Sequence, residues 1–180
     1  MMKNKVFMPP KHLFQVPLSK EQIKNYKHIS PVFTSDCLFH VLTALGLRHS
    51  NISYHDSMKM HKIRGNGVIV NDAGDYISSI FDTKIKTVVH RGCKISDIIS
   101  KLENGYATFV CGAYTYNGHF FIIYKVNNEI YMYDPQSRSM NLKPIDDSYK
   151  GGFKHIVAYY NTNRVAAPLN KDRMNNAIPF

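Results

Sequence analysis

Two stretches dominate the hydrophobic pattern. Between Gly118 and Gln136, GHFFIIYKVNNEIYMYDPQ gives two runs of aromatic and β-branched residues around a polar pair, the composition of two strands joined by a tight turn. Asn127-Asn128 is the turn, since asparagine tolerates the left-handed backbone of a two-residue type I′ hairpin. That register sets Val126 opposite Glu129 and, carried outward, Phe121 opposite Asp134 and His119 opposite Gln136. Side chains alternate faces along a strand, so His119, Phe121 and Ile123 share a face with Met132, Asp134 and Gln136. His119 and Asp134 become diagonal neighbours roughly 7–8 Å apart at the backbone, a gap that an imidazole and a carboxylate can close.

The helical counterpart is TSDCLFHVLTALGL. Leu38, Val41, Leu42 and Leu45 form an apolar stripe at helical spacing, Thr34 or Ser35 serves as N-cap, and Gly46 serves as C-cap. Cys37 then falls in the first turn, where unpaired N–H groups and the helix dipole favour thiolate over thiol. A thiolate facing a histidine held by a carboxylate is the arrangement of nucleophilic catalysis. His40, three residues on, lies alongside the thiol and is the weaker candidate base. Cys111, in mid-strand, reads as core, and Cys93 as a loop residue.

The rest of the pattern supplies a frame. Ser19 and Gln22 fit a capping box for a short helix reaching about Lys27. A ragged helix is expected from about Ser53 to Lys62, a loop at Arg64-Gly65-Asn66-Gly67, and a helix capped by Asn71 or Asp72 with Tyr76, Ile77 and Ile80 on one side. Lys84 to His90 alternates as a strand, Ser96 to Leu102 reads as a short helix closed by Asn104-Gly105, and Tyr106 to Tyr114 as a buried central strand. Met140 to Leu142 and His155 to Tyr160 are further strands. Helices first and a mostly antiparallel sheet afterwards argue an α+β fold, with the nucleophile helix packed on the sheet. Residues 1–18 and 162–180, proline-bearing and without a period, are expected to be extended arms around a domain over 19–161.

These segments carry a resemblance. A cysteine opening a helix, Gly118-His119 opening a strand and Asp134-Pro135-Gln136 closing the next resemble the papain-like cysteine peptidases. The order Cys37, His119, Asp134 looks most like the papain-fold toxin and deubiquitinase-like branches, and SDCLFHVL is also similar to the nucleophile segment of ovarian-tumour deubiquitinases. The likeness spans roughly 34 to 161 and is specific at the two short segments. It implies a papain-like fold and a thiol hydrolase of peptide or isopeptide bonds, with protein substrates that include ubiquitin-like conjugates. It implies Cys37 as nucleophile, His119 as acid–base and Asp134 as its orienting group. Deamidation and acyl transfer would use the same residues. Papain carries its oxyanion-hole glutamine six residues before the cysteine, and Pro31 stands there in this chain. Gln136 or the Cys37 N–H is expected to take that part.

Composition narrows the setting. At 180 residues, 44% hydrophobic and 20% charged, the chain is one domain's worth and globular rather than disordered. No apolar run approaches the ~20 residues of a membrane span, and the N-terminal stretch lacks a signal-peptide core. Three widely spaced cysteines imply no disulfide framework, so an intracellular, reducing setting is expected. The formal charge of +10 suits attraction to acidic partners. The basic residues are scattered, which argues against a nucleic-acid interface. No metal or cofactor motif stands out among the nine histidines and three cysteines, since Cys-x-x-Cys and His-Glu-x-x-His are absent and His55 and His61 do not share a helix face. Abundant Lys, Asn and Ile hint at an AT-rich genome such as a large virus. The alternative to an enzyme is accordingly a structural component of a virion or another large assembly, its arms contacting neighbours.

Overall fold

The computed structural model describes residues 12–26, 37–47, 70–81, 87–114, 118–136, 142–149 and 151–161. The expected helix at 53–62, the 64–67 loop, Pro31, the caps Thr34 and Ser35, and the C-terminal arm lie outside them. In chain order the elements are β1 (His12–Leu13), β2 (Val16–Pro17), α1 (Lys20–Asn25), α2 (Cys37–Ala44) and a 3-10 turn (Val70–Asp72) that leads into α3 (Ala73–Ile80). There follow β3 (Thr87–Cys93), α4 (Ile95–Ile99), β4 (Tyr106–Ala113), β5 (Gly118–Val126), β6 (Glu129–Tyr133), β7 (Lys143–Pro144) and β8 (His155–Asn161). The fold is α+β, an open antiparallel sheet of 8 strands in the order β1-β8-β4-β5-β6-β7, with β2 paired to β4 and β3 to β8.

The hairpin forms in the expected register, with Val126 opposite Glu129 and Ile122 opposite Tyr133. Its turn residues have φ of 51° at Asn127 and 62° at Asn128, the two left-handed positions of a type I′ turn. The ladder stops three residues short of the extrapolated His119–Gln136 pair, so neither that pair nor Phe121–Asp134 forms. Tyr133 is the last paired residue of β6, and Asp134 to Gln136 turn away from β5. Buried Pro135 has no N–H to give to a ladder. The partner of His119 is Gly112 of β4.

Residues 12–18 are built into the sheet rather than standing off it. β4 pairs with β8 only over Val110–Ala113, and β1 and β2 occupy the edges left further along. Leu13, Phe14, Val16 and Leu18 are buried there. Other bounds shift by a few residues. The first helix stops at Asn25 with its Ser19–Gln22 capping box in place. The third strand runs to Cys93 and the helix beyond it starts at Ile95; of the strand expected at Met140 to Leu142 only Leu142 is described, and a short strand follows at Lys143–Pro144.

Each face of the sheet carries its own core. On one, α1, α2 and α3 pack Leu38, Leu42 and Ile77 against Phe109, Phe120, Ile122 and Tyr159. On the other, α4 packs Ile95, Ile98 and Leu102 against Val110, Phe121, Ile123 and Ala158. Burying a side chain of this size is worth about 1.5–3 kcal/mol, so two filled faces hold the sheet as a rigid plate. β5 belongs to both cores: its even-numbered side chains face α2, and its odd-numbered ones face α4. No helix among the described residues is long and apolar enough to cross a membrane.

Candidate functional site

α2 delivers Cys37 to one end of this plate. Its apolar stripe seats the helix on β5. Its C-terminus is fixed by Gly46 at φ 85°, where Leu47 N–H donates to Leu42 C=O at 3.1 Å and Gly46 N–H to Thr43 C=O at 3.0 Å. This is the Schellman pattern, which relies on a residue tolerant of the left-handed region. With one end locked and one side buried, the position of the first residue is set. Cys37 is half-buried, whereas Cys93 and Cys111 are buried.

His119 arrives from the sheet as the second residue of β5. Its Nε2 lies 2.7 Å from Asp134 Oδ2, a short charge-assisted contact. The other carboxylate oxygen, Oδ1, accepts the Gln136 N–H at 3.1 Å, so the turn that ends β6 also aims the carboxylate. The Cys37 side chain lies close enough to the imidazole to raise its pKa through hydrogen bonding and charge. Nε2 is committed to Asp134, which leaves Nδ1 as the nitrogen that serves the sulfur. Cys37, His119 and Asp134 are therefore contiguous. For Gln136 the structure shows a main-chain role at the carboxylate.

The electrostatics follow from this chain of contacts. Burial opposes a charged ring, but the hydrogen bonds to Asp134 and Cys37 and the charge of both groups outweigh it and lift the His119 pKa to about 10. The ring is thus an imidazolium at neutral pH, a cation set between a carboxylate and a sulfur. The other two cysteines are pushed the opposite way. Burial raises the Cys111 thiol to about 12, with the neighbouring Cys37 adding to the effect, and burial with Asp97 nearby raises Cys93 to about 12. Both stay neutral thiols and poor nucleophiles. Cys93, read from sequence as a loop residue, closes β3 instead.

His40 is accounted for by packing. It is fully buried, and its Nδ1 sits 3.1 Å from the Tyr26 hydroxyl, so it ties α1 to α2 within the core.

Two glycines shape the site: Gly118, read in the sequence only as the residue that opens the strand before His119, and Gly112, which the sequence reading did not single out. A Cβ on Gly118 would overlap Cys111 Sγ and stand 2.9 Å from the Gly112 carbonyl oxygen. A bare backbone is what lets β5 begin here, one residue before the imidazole. A Cβ on Gly112 would overlap the Phe153 ring. Phe153 fills that space and stacks on Phe121 at 6.1 Å, and Phe121 in turn stacks on His119 at 6.4 Å. The ring column gives the imidazole an apolar backing on the α4 side. The sequence signal for both glycines is the same: a glycine inside or at the mouth of a strand marks a close approach.

No family model, no curated protein and no solved structure matches this chain.

Proposed function

We propose that the protein is a papain-like cysteine hydrolase acting on peptide or isopeptide bonds. One observation carries this reading: a single imidazole bridges the carboxylate of Asp134 and the sulfur of the cysteine that opens α2. A merely structural histidine needs one partner. This one has two of opposite chemical use, an orienting acid and a potential nucleophile. The support extends to the surroundings, since Cys37 is the half-exposed cysteine and the two buried ones are held as thiols.

The chemistry then runs as follows. The Cys37 thiolate, paired with the His119 imidazolium, attacks the substrate carbonyl carbon and forms the S–C bond. His119 passes its proton to the leaving nitrogen as the C–N bond breaks, and the acyl group remains on sulfur. Water then adds to the thioester, giving its proton to His119, and Cys37 is released with the new carboxylic acid. Asp134 fixes which ring nitrogen faces the sulfur and stabilises the cation. The Cys37 N–H at the start of α2 serves as the oxyanion donor, with the Gln136 side chain as the second candidate. Replacing water by another acceptor would turn the same site to acyl transfer.

The test is labelling by a ubiquitin carrying a thiol-reactive C-terminal electrophile, alongside a peptidyl chloromethyl ketone. Wild type is expected to form an adduct at Cys37 with at least one of them, and Cys37→Ala and His119→Ala to lose it. Equal labelling of wild type and His119→Ala would overturn the reading.

A further inference from the structure

Arg91 lies on the α2 side of the sheet, two strands from the site. Paired residues across antiparallel strands point to the same face, and one row runs Arg91–Val157–Cys111–Phe120 from β3 through β8 and β4 to β5. Val157, Cys111 and Phe120 are buried in the core beneath α2, and Cys37 packs on its margin. Adjacent strands are about 4.8 Å apart, so the Arg91 backbone stands roughly 10 Å from that of Cys111, within the span of an arginine side chain and one substrate residue.

Three local features fix its direction. The guanidinium is exposed, and its Nη2 donates to Asn71 Oδ1 at 2.7 Å, across to the turn that leads into α3. Asn71 is neutral, so it steers the group without cancelling its charge. The strand register shifts between Arg91 and Cys93, and the intervening Gly92 has φ 66°. This is a glycine bulge, a device that re-aims a side chain at the end of a strand. The charge also reaches toward the site: Arg91 favours the ionised form of Cys111, which itself feels Cys37.

The order across the sheet gives the polarity of a bound substrate. Arg91 on β3 comes first, then Cys37 on α2, near Cys111 of β4, then His119 at the start of β5 with Asp134 at the end of β6. The leaving group must depart on the side of the imidazole that protonates it. The acyl portion of the substrate therefore extends the other way, toward Arg91.

We propose that Arg91 is a specificity-determining residue that binds an acidic side chain on the acyl portion of a peptide substrate, upstream of the scissile carbonyl. The inference rests on the cysteine-hydrolase reading above. It concerns an internal acidic residue and not a chain terminus, because the C-terminal end of the acyl segment is the reacting carbonyl itself.

The experiment compares two probes, acetyl-Asp-Ala-Gly and acetyl-Asn-Ala-Gly chloromethyl ketones, which differ only in charge. Second-order rates of Cys37 alkylation are followed by intact mass in wild type, Arg91→Gln and Arg91→Lys. An exposed ion pair predicts that wild type prefers the Asp probe by roughly three- to fivefold, that Arg91→Gln brings the ratio near one, and that Arg91→Lys retains part of it. In wild type alone the ratio must also fall as ionic strength rises from about 0.05 to 0.5 M, a readout that no folding defect can mimic. An Asp/Asn ratio equal in wild type and Arg91→Gln, or one indifferent to salt, overturns the role of Arg91. Failure of both probes to reach Cys37 in wild type overturns the role of Arg91 where the ubiquitin electrophile still labels Cys37, and overturns the hydrolase reading with it where that label fails too.

Discussion

Three atoms of His119's surroundings decide the character of the site. Asp134 Oδ2 sits 2.7 Å from Nε2, and its side chain and that of the histidine are only 20% and 28% exposed. Partial burial of this kind makes the contact stronger than a surface ion pair and weaker than a fully buried one. The consequence for stability has a definite sign. The folded pKa of His119, about 10, lies above the ordinary value near 6.5. Its contribution is fully present below about pH 6.5 and is lost as pH rises through 10. Urea unfolding at pH 6.5 and at pH 10 should show wild type losing on the order of 1–2 kcal/mol more than Asp134→Asn over that interval, after allowance for solvent screening. A Cβ at position 118 or 112 would disturb the same neighbourhood by sterics rather than charge, since each meets a side chain already in place.

At the scale of elements, the hairpin β5–β6 sets the distance between acid and base. Its turn places Asn127 at φ 51° and Asn128 at φ 62°, and Asn104 braces it from the β4 approach, accepting the Asn128 N–H at 2.8 Å. Asn127→Ala should cost about 1 kcal/mol by urea unfolding, because a Cβ without a compensating polar group disfavours the left-handed region, while Asn127→Gly should be tolerated. Equal cost for the two would show that the turn does not depend on left-handed backbone. This hairpin was the most legible element, since alternation over two runs and an Asn-Asn pair leave few other registers. Its end was less legible. Proline at 135 signalled the stop, but pairing already lapses at Asp134, where the carboxylate turns to serve both His119 and the Gln136 N–H. The stretch at 12–18 was harder to read. Two-residue strands leave too short a trace for periodicity, and only the gap between β4 and β8 explains why Leu13 and Val16 are buried.

For the whole molecule, the site lies where two independently packed faces of one sheet meet at a strand end. α2 approaches from the helical face and brings the sulfur. The odd-numbered side chains of β5 belong to the opposite face and bring the imidazole, backed by Phe121 and Phe153. Local pattern identified Cys37, His119 and Asp134 one by one, yet their meeting depends on the docking of α2 on β5, a contact between segments some eighty residues apart that no local pattern encodes. Gly112 was missed, and Gly118 read only as a strand opener, for the same reason: their meaning lies in neighbours supplied by other segments. The formal charge of +10 belongs to this scale too, as a field favouring acidic partners, and its sign is the one the Arg91 proposal calls for.

The central claim is that sulfur, imidazole and carboxylate act as one unit. It is tested most directly by the rate at which neutral iodoacetamide alkylates Cys37 at pH 6.5, followed by peptide mass in wild type, His119→Ala and Asp134→Asn. The account predicts that His119→Ala slows the reaction at least tenfold and that Asp134→Asn falls between the two, because an imidazolium beside a sulfur favours the thiolate, the form that reacts. Three equal rates would mean that Cys37 reacts as an independent thiol, and the account would be wrong.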